Sequence, residues 1–210
     1  NWHISVAPFV YEVGTSSLFI LFYMVMLFLL LDLGRLVHLV PSSFLHNSVH
    51  GSIFVGVLIT IIFVYGNLNY RNKVRMPIVL KTEKVLPKPM KIVMMSDLHL
   101  GYHNRRAEFM RWVDMVNAEH ADLILIGGDI IDRYMRPLIE ENVAQEFHRL
   151  NAPVYACLGN HEYYAGNTQA QKFYHDAGIH LLVDSVVVVN GINIVGRDDR
   201  TNVHRKSLKD

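Results

Sequence analysis

The stretch KIVMMSDLHLGYH, residues 91–103, passes from a short apolar strand directly into an aspartate and a histidine, Asp97 and His99. Strand interiors disfavour aspartate, so the loop after the strand must use these side chains. Two interpretations are open. Either the loop is simply polar, with Asp97 as a turn residue, or the two side chains bind a metal ion at the carboxyl end of a parallel strand, where open α/β sheets bind ligands. The Asp-x-His pattern alone does not decide between them.

Downstream of this stretch, short apolar strands alternate with amphipathic helices. The predicted strands are 91–95, 122–128 and 153–159, and the predicted helices are 104–120, 137–150 and 168–178. This alternation predicts a parallel sheet that is covered by helices. Further short strands begin at residue 180, with Asn190 and Gly191 as a hairpin turn. They indicate that the sheet turns mixed or that a second sheet begins.

Polar side chains also follow the second and third predicted strands. GGDIIDR places Asp129 and Asp132 after the second strand, and LGNHE places Asn160 and His161 after the third. Successive strand–helix units bring these positions to the same edge of a parallel sheet. Each motif alone is compatible with an ordinary turn. Together, at matching strand ends, they supply oxygen and nitrogen ligands suited to a divalent metal ion.

These motifs resemble those of the calcineurin-like metallophosphoesterases, which run D-x-H, G-D-x-x-D and G-N-H-[ED]. This sequence has DLH at 97–99, GDIID at 128–132 and GNHE at 159–162, in that order. The resemblance covers residues 90 to about 199, and it is strongest with the bacterial branch in which membrane helices precede the phosphoesterase domain. It implies an α/β fold class, with N-terminal transmembrane helices followed by an αββα sandwich domain.

The resemblance also implies a metal centre with four ligands in this chain. Asp97 and His99 would bind one ion, Asp129 would bridge two ions, and Asn160 would bind the second. The implied cofactor is a pair of divalent metal ions, and Mn, Fe, Zn and Co all suit such ligands.

A catalytic pair is implied in the same way. His161 would be the general acid beside the leaving oxygen, and Asp132 would orient it. The expected function is a membrane-anchored phosphoesterase that hydrolyses a phosphomonoester, phosphodiester or pyrophosphate bond, with a lipid-linked phosphate as one candidate substrate. The alternative is a catalytically inactive, membrane-tethered module that binds or scaffolds.

The family completes its site with later histidines, including a G-H-x-H motif. This sequence ends at Asp210 without G-H-x-H, and His204 lies in a polar stretch that reads as surface. We therefore expect a chain that is truncated at both ends, with a phosphoesterase domain that is incomplete at its C-terminus.

Two apolar runs precede the first motif. SLFILFYMVMLFLLL occupies 17–31 and SIFVGVLITIIFVYG occupies 52–66. A transmembrane helix needs about 20 mostly apolar residues, so with their flanks these runs predict transmembrane helices at about 13–40 and 49–70. A signal peptide is too short for two such runs, and a soluble core helix is rarely apolar on every face.

The resulting domain organisation has three parts. Residues 1–70 form a membrane region, 71–89 a basic linker that contains prolines, and 90–210 the N-terminal part of the phosphoesterase domain.

Charge and cysteine content bear on location and partners. Arg35 is the single basic residue between the two apolar runs, whereas residues 71–91 contain seven. The positive-inside rule therefore predicts a multi-pass membrane protein whose catalytic domain faces the cytoplasm. The lone Cys157 excludes an intrachain disulfide framework and fits a reducing compartment. The formal net charge of +1 gives no indication of nucleic-acid binding.

Overall fold

The computed structural model describes residues 6–84, 86 and 88–207. It divides the chain into two compact units, Asn1–Lys81 and Thr82–Asp210. The division lies within the predicted linker, and the described residues between 72 and 91 contain no helix or strand.

The described part of the first unit, residues 6–81, contains three helices: α1 (Ala7–Leu36), α2 (Ser42–Leu45) and α3 (Val49–Arg71). The first predicted transmembrane span, about 13–40, overlaps α1, although the helix begins earlier and ends earlier than that span. Pro8 in the first turn permits the early start, because proline fits the beginning of a helix. His38 adopts a left-handed backbone conformation (φ 58°), which ends the helix before residue 40. The second apolar run lies within α3, which covers residues 49–70 of the predicted span.

Helices α1 and α3 are both long enough and apolar enough to cross a membrane. Among its described residues, α1 has no buried side chain. Tyr23 of α1 packs edge-on against Phe63 of α3, with 5.9 Å between the ring centroids. In α3, the side of the helix that carries Val55 and Ile59 is buried.

The second unit is built on a parallel sheet with strand order β1-β2-β3-β4. This result confirms the predicted parallel α/β arrangement. The strands are β1 (Ile92–Met95), β2 (Leu123–Ile126), β3 (Val154–Ala156) and β4 (His180–Leu181). A separate antiparallel pair, β5 (Ser185–Val189) and β6 (Ile192–Gly196), forms the second sheet. Asn190 and Gly191 join this pair with positive φ values of 50° and 83°, as a tight hairpin turn requires.

The two faces of the parallel sheet bury different layers. Alternate residues of a strand point to opposite faces, so Ile124 and Ile126 of β2 lie in the core beneath the helices. Leu123 and Leu125 lie in a smaller cluster that includes Ile194 of β6. Helices therefore cover one face of the sheet, and the hairpin covers part of the other.

The helices between the strands are α4 (Arg106–Ala118), α5 (Met135–Glu140), α6 (Ala144–Phe147), α7 (Asn160–Ala165) and α8 (Asn167–Asp176). Two predictions were too simple. The predicted helix 137–150 is split into α5 and α6, with Asn142 at φ 52° between them. The predicted helix 168–178 is preceded by the short α7, and Gly166 at φ 101° separates the two helices. An L-residue rarely adopts that φ, so the glycine permits the sharp change of direction.

Candidate metal centre

The loops that follow β1 and β2 are joined by backbone hydrogen bonds beyond the ends of the strands. The His99 amide donates to the Asp129 carbonyl oxygen over 2.9 Å, and the Leu100 amide donates to the Ile130 carbonyl oxygen over 2.7 Å. The parallel pairing therefore continues into the polar motifs. It brings the first and second motifs together at the carboxyl edge of the sheet, as their spacing predicts.

Three predicted site residues lie in the left-handed region of backbone space. The φ values are 55° for Asp97, 43° for His99 and 51° for Asp129. Non-glycine residues rarely adopt this conformation, although aspartate and histidine do so more readily than most. Such conformations persist where the surrounding contacts impose them, and they are concentrated at functional sites.

Glycines allow the second and third motifs to approach closely. A Cβ atom on Gly128 would lie 2.6 Å from the Gly159 nitrogen, and a Cβ on Gly159 would lie 2.2 Å from Asp129 Oδ1. No side chain fits at either position. The His161 amide, in the first turn of α7, donates to Asp129 Oδ1 over 2.9 Å. The segment after β3 thus holds the carboxylate of Asp129, which lies in the segment after β2.

Glu162 is a residue to which the sequence assigned no role, although it is the last residue of the GNHE motif. Its side chain is fully buried. It accepts hydrogen bonds from the backbone amides of Asp129, Ile131 and Gly159 over 3.0, 3.0 and 2.8 Å. Burial raises the pKa of the Glu162 carboxyl, and these three amides oppose that rise. The sequence does carry one signal for this role. A glutamate at the third position of a helix commonly accepts a hydrogen bond from the residue just before the helix, as Glu162 does from Gly159.

The structure brings His99, Asp129 and His161 together. One donor atom from each lies within 4.8 Å of the others. The two imidazole rings meet edge to face, with 4.3 Å between their centroids. Asp132 lies beside both rings, its Oδ1 being 3.8 Å from His99 Nδ1 and 3.7 Å from His161 Nδ1. The predicted catalytic His161 is thus inside the group of potential ligands.

The other two predicted ligands are Asp97, which lies beside His99, and Asn160, which precedes His161 in the chain. Asp97 Oδ1 is 3.7 Å from His99 Nε2, and its other oxygen accepts a hydrogen bond from the Ser96 hydroxyl. The Asp97 carboxylate remains largely exposed. Asn160 is the first residue of α7, immediately before His161. All six predicted site residues therefore occupy the three strand-end segments.

The residues present suit a divalent metal ion. His99 Nδ1 is buried and has no hydrogen-bond partner among the described residues. A buried polar atom without a partner costs about 1–3 kcal/mol, and a metal ion is one partner that would remove this cost. The His99 imidazole and the Asp129 carboxylate supply nitrogen and oxygen donors that divalent transition metals accept, and His161 lies beside them.

Comparison with models of protein families shows which family has this fold and these motifs. The model described as "Calcineurin-like phosphoesterase" matches residues 90–207, which is more than half of the chain. The chain belongs to the calcineurin-like phosphoesterase family. The family predicted from the three motifs is therefore confirmed. Calcineurin-like phosphoesterases use a dinuclear divalent metal centre, and this chain offers suitable donors at the edge of its sheet.

Several curated proteins are similar to this calcineurin-like phosphoesterase. An "Uncharacterized metallophosphoesterase" of Aquifex aeolicus is 38% identical over 127 residues, covering 57% of this chain and 47% of that protein. One from Campylobacter jejuni is 27% identical over 155 residues, covering 71% and 40%. A Danio rerio "Transmembrane protein with metallophosphoesterase domain" is 28% identical over 145 residues, covering 66% and 33%. The chain thus spans less than half the length of each of these relatives.

An exposed aromatic ring lies beside the predicted catalytic histidine of this phosphoesterase unit. The Tyr164 ring is 5.4 Å from the His161 ring, between centroids. Tyr102 and Tyr134, from the loops after β1 and β2, have 6.2 Å between their ring centroids.

Proposed function

We propose that this protein is a membrane-anchored, metal-dependent phosphoesterase that hydrolyses a phosphomonoester, phosphodiester or pyrophosphate bond. The observation that carries the proposal is the convergence of His99, Asp129 and His161 at the carboxyl edge of the sheet. It occurs in a chain whose family is defined by phosphoester hydrolysis at a dinuclear metal centre.

In this proposal, Asp97 and His99 bind one metal ion, Asp129 bridges two ions, and Asn160 binds the second. The position of Asp129 supports its role, because the His161 amide fixes one carboxylate oxygen and the three strand-end segments meet around it. When bound, a pair of divalent ions lowers the pKa of a water molecule and neutralises charge on the phosphoryl oxygens.

His161 is the proposed general acid. Its Nδ1 contacts the backbone carbonyl oxygen of Asp132, which favours a proton on Nδ1 and fixes the ring orientation. The Asp132 carboxylate, 3.7 Å from the same nitrogen, helps to orient the ring. As general acid, the ring then donates the proton on Nε2 to the departing oxygen of the substrate.

The membrane anchor is the helix pair α1 and α3, and the substrate is a phosphate ester. The two candidate spans and the name of the Danio rerio relative support membrane association. The basic residues after α3 favour a multi-pass arrangement with the phosphoesterase unit on the cytoplasmic face. A site held near the bilayer favours a lipid-linked phosphate or pyrophosphate as substrate.

Metal analysis and kinetics of two variants of the full protein test this proposal. Asp129→Asn should lose both metal and activity, because the bridging charge is removed. His161→Ala should keep most of its metal while turnover falls by about 10²–10⁴-fold, the usual contribution of a general acid. The fall should be smaller for an aryl phosphate, whose leaving group needs little protonation.

Matched controls on exposed residues are Asp114→Asn and His175→Ala, which should leave metal content and turnover unchanged. Full metal content and full rate in Asp129→Asn would show that the site assignment is wrong. Loss of metal in His161→Ala would make His161 a ligand instead of the acid. A protein that binds metal fully but hydrolyses no phosphate ester would favour the inactive binding module.

A further inference from the structure

The segment that follows α3 exposes an unusual number of large apolar side chains. We call residues 72–84, NKVRMPIVLKTEK, the juxtamembrane segment. Leu80 is 88% exposed, and the other exposed apolar residues of the segment are Val74, Met76, Ile78 and Val79. A contiguous exposed apolar patch of this kind marks an interaction surface.

The same segment is strongly basic. It contains four Lys or Arg residues and a single acid, Glu83. The next two lysines along the chain, Lys88 and Lys91, pair with Asp122 at 2.6 Å and with Glu119 at 2.9 Å. The excess of basic over acidic residues in the juxtamembrane segment favours an anionic partner.

The position of the segment along the chain indicates which anionic partner it meets. It begins directly after Arg71, the last residue of the candidate span α3. At this boundary, Lys73 Nζ lies 3.7 Å from the centroid of the Tyr70 ring. Tyrosine and lysine are typical of the level of lipid headgroups. Basic segments beside a transmembrane helix bind anionic lipids, and apolar side chains add to that affinity.

We propose that the juxtamembrane segment lies on the bilayer surface, with its apolar side chains at the boundary between headgroups and acyl chains. Its lysines and arginine contact anionic phospholipid headgroups. This inference rests on the proposed membrane anchor and extends it, because it gives the segment a binding role of its own. A protein partner could cover the apolar side chains, but the excess of basic residues favours an anionic lipid surface.

Binding of the juxtamembrane segment to the bilayer surface would limit how far the phosphoesterase unit can move away from the membrane. Thirteen residues, if extended into solvent, reach about 45 Å from the end of α3. A segment that lies on the bilayer starts the phosphoesterase unit at the lipid surface instead. Access to substrates carried by the membrane is then favoured over access to those far from it.

Fluorescence from the full chain in lipid nanodiscs tests the proposal. In a Cys157→Ser background, single cysteines replace Val25 in α1, Leu80 in the segment, or Ile139 on α5, all of them exposed residues. Each cysteine carries an environment-sensitive fluorophore, and quenching by nitroxide-labelled lipid reports lipid contact. With phosphatidylglycerol present, the labels at Val25 and Leu80 should emit at short wavelength and be quenched. The label at Ile139 should remain in water.

The outcomes separate this inference from the anchor on which it rests. A label at Val25 in lipid, with the label at Leu80 in water, would overturn the inference and leave the anchor intact. A label at Val25 in water would overturn both. Equal burial of Leu80 in phosphatidylcholine alone would refute the role of anionic lipid.

A charge variant tests the electrostatic part. Each basic residue near an anionic surface contributes about fivefold to binding. Replacing Lys81 and Lys84 with glutamine should therefore shift the lipid-bound fraction of the Leu80 label by about 25-fold in equilibrium constant. The control, with Arg136 and Lys172 of the phosphoesterase unit replaced by glutamine, makes the same charge change and should shift nothing. An equal effect from both pairs would overturn the proposal.

Discussion

Replacing Glu162 with glutamine is the sharpest test of how this site is held together. In the native protein, Oε2 accepts the amides of Asp129 and Gly159, and Oε1 accepts the amide of Ile131. Glutamine has one acceptor oxygen, and its NH₂ group must face at least one of these amides. If the amide oxygen takes the place of Oε2, the Ile131 amide loses its acceptor. If instead the side-chain NH₂ group takes the place of Oε2, the backbone amides of Asp129 and Gly159 lose their acceptor.

The size of the loss follows from these contacts. Losing a hydrogen bond to a charged group costs about 1.5–3 kcal/mol, and each buried donor left unpaired costs about 1–3 kcal/mol. Part of this is offset, because burial raises the pKa of Glu162 and a neutral side chain avoids that desolvation. We expect Glu162→Gln to lower the free energy of unfolding by about 2–4 kcal/mol. Metal affinity should fall too, since the loops that carry Asp129 and Gly159 are no longer tied together.

The measurement is unfolding of the phosphoesterase unit within the full chain in nanodiscs, followed by the fluorescence of the buried Trp112, with metal binding by calorimetry. A loss of this size lowers the melting temperature by about 7–15 °C. The control is Glu140→Gln, which breaks only a surface pair with Arg136 and should cost at most about 0.5 kcal/mol. If Glu162→Gln matches that control in stability and binds metal normally, the argument that this carboxylate holds the loops is wrong.

Two further changes probe the packing of the site and a buried charge elsewhere in the same unit. Gly159→Ala places a methyl group 2.2 Å from Asp129 Oδ1, so metal binding should fall. The control, Gly127→Ala, should retain metal binding, because its nearest contact is a side-chain atom 3.3 Å away. Equal metal affinity in the two variants would count against the close approach of Gly159 to Asp129. Burial opposes ionisation of Glu146, but hydrogen bonds from two arginines hold its pKa below the ordinary value. The ionised Glu146 therefore stabilises the fold above the ordinary carboxyl pKa, and this stabilisation is lost as the pH falls through the lowered pKa. Glu146→Gln should cost about 1–3 kcal/mol at neutral pH and flatten the fall in unfolding free energy below about pH 4.5; an unchanged pH slope would refute this account.

Local pattern determined the outline of this protein. The two apolar runs predicted the helices that became α1 and α3, because a long stretch without charges has few stable alternatives to an apolar helix. Alternating strand and helix signals predicted the parallel sheet, and Asn190-Gly191 predicted the hairpin, because two positive φ angles suit that pair. The polar motifs at three strand ends indicated where donors would gather, since parallel strands end at one edge.

Only the tertiary structure decided how those donors are arranged. The break within the predicted helix 137–150 and the short helix α7 have weak local signals, because packing against the sheet overrides intrinsic preference over a few residues. Glu162 reads locally as a helix-capping residue, yet it also accepts amides from a loop about 30 residues earlier in the chain. The position of His161 beside His99 and Asp129 depends likewise on strand register and on two glycines that let backbones touch. Contacts between segments that are distant in sequence leave no periodic pattern in either segment. The sequence therefore indicated where donors would gather, and only the fold set the distances between them.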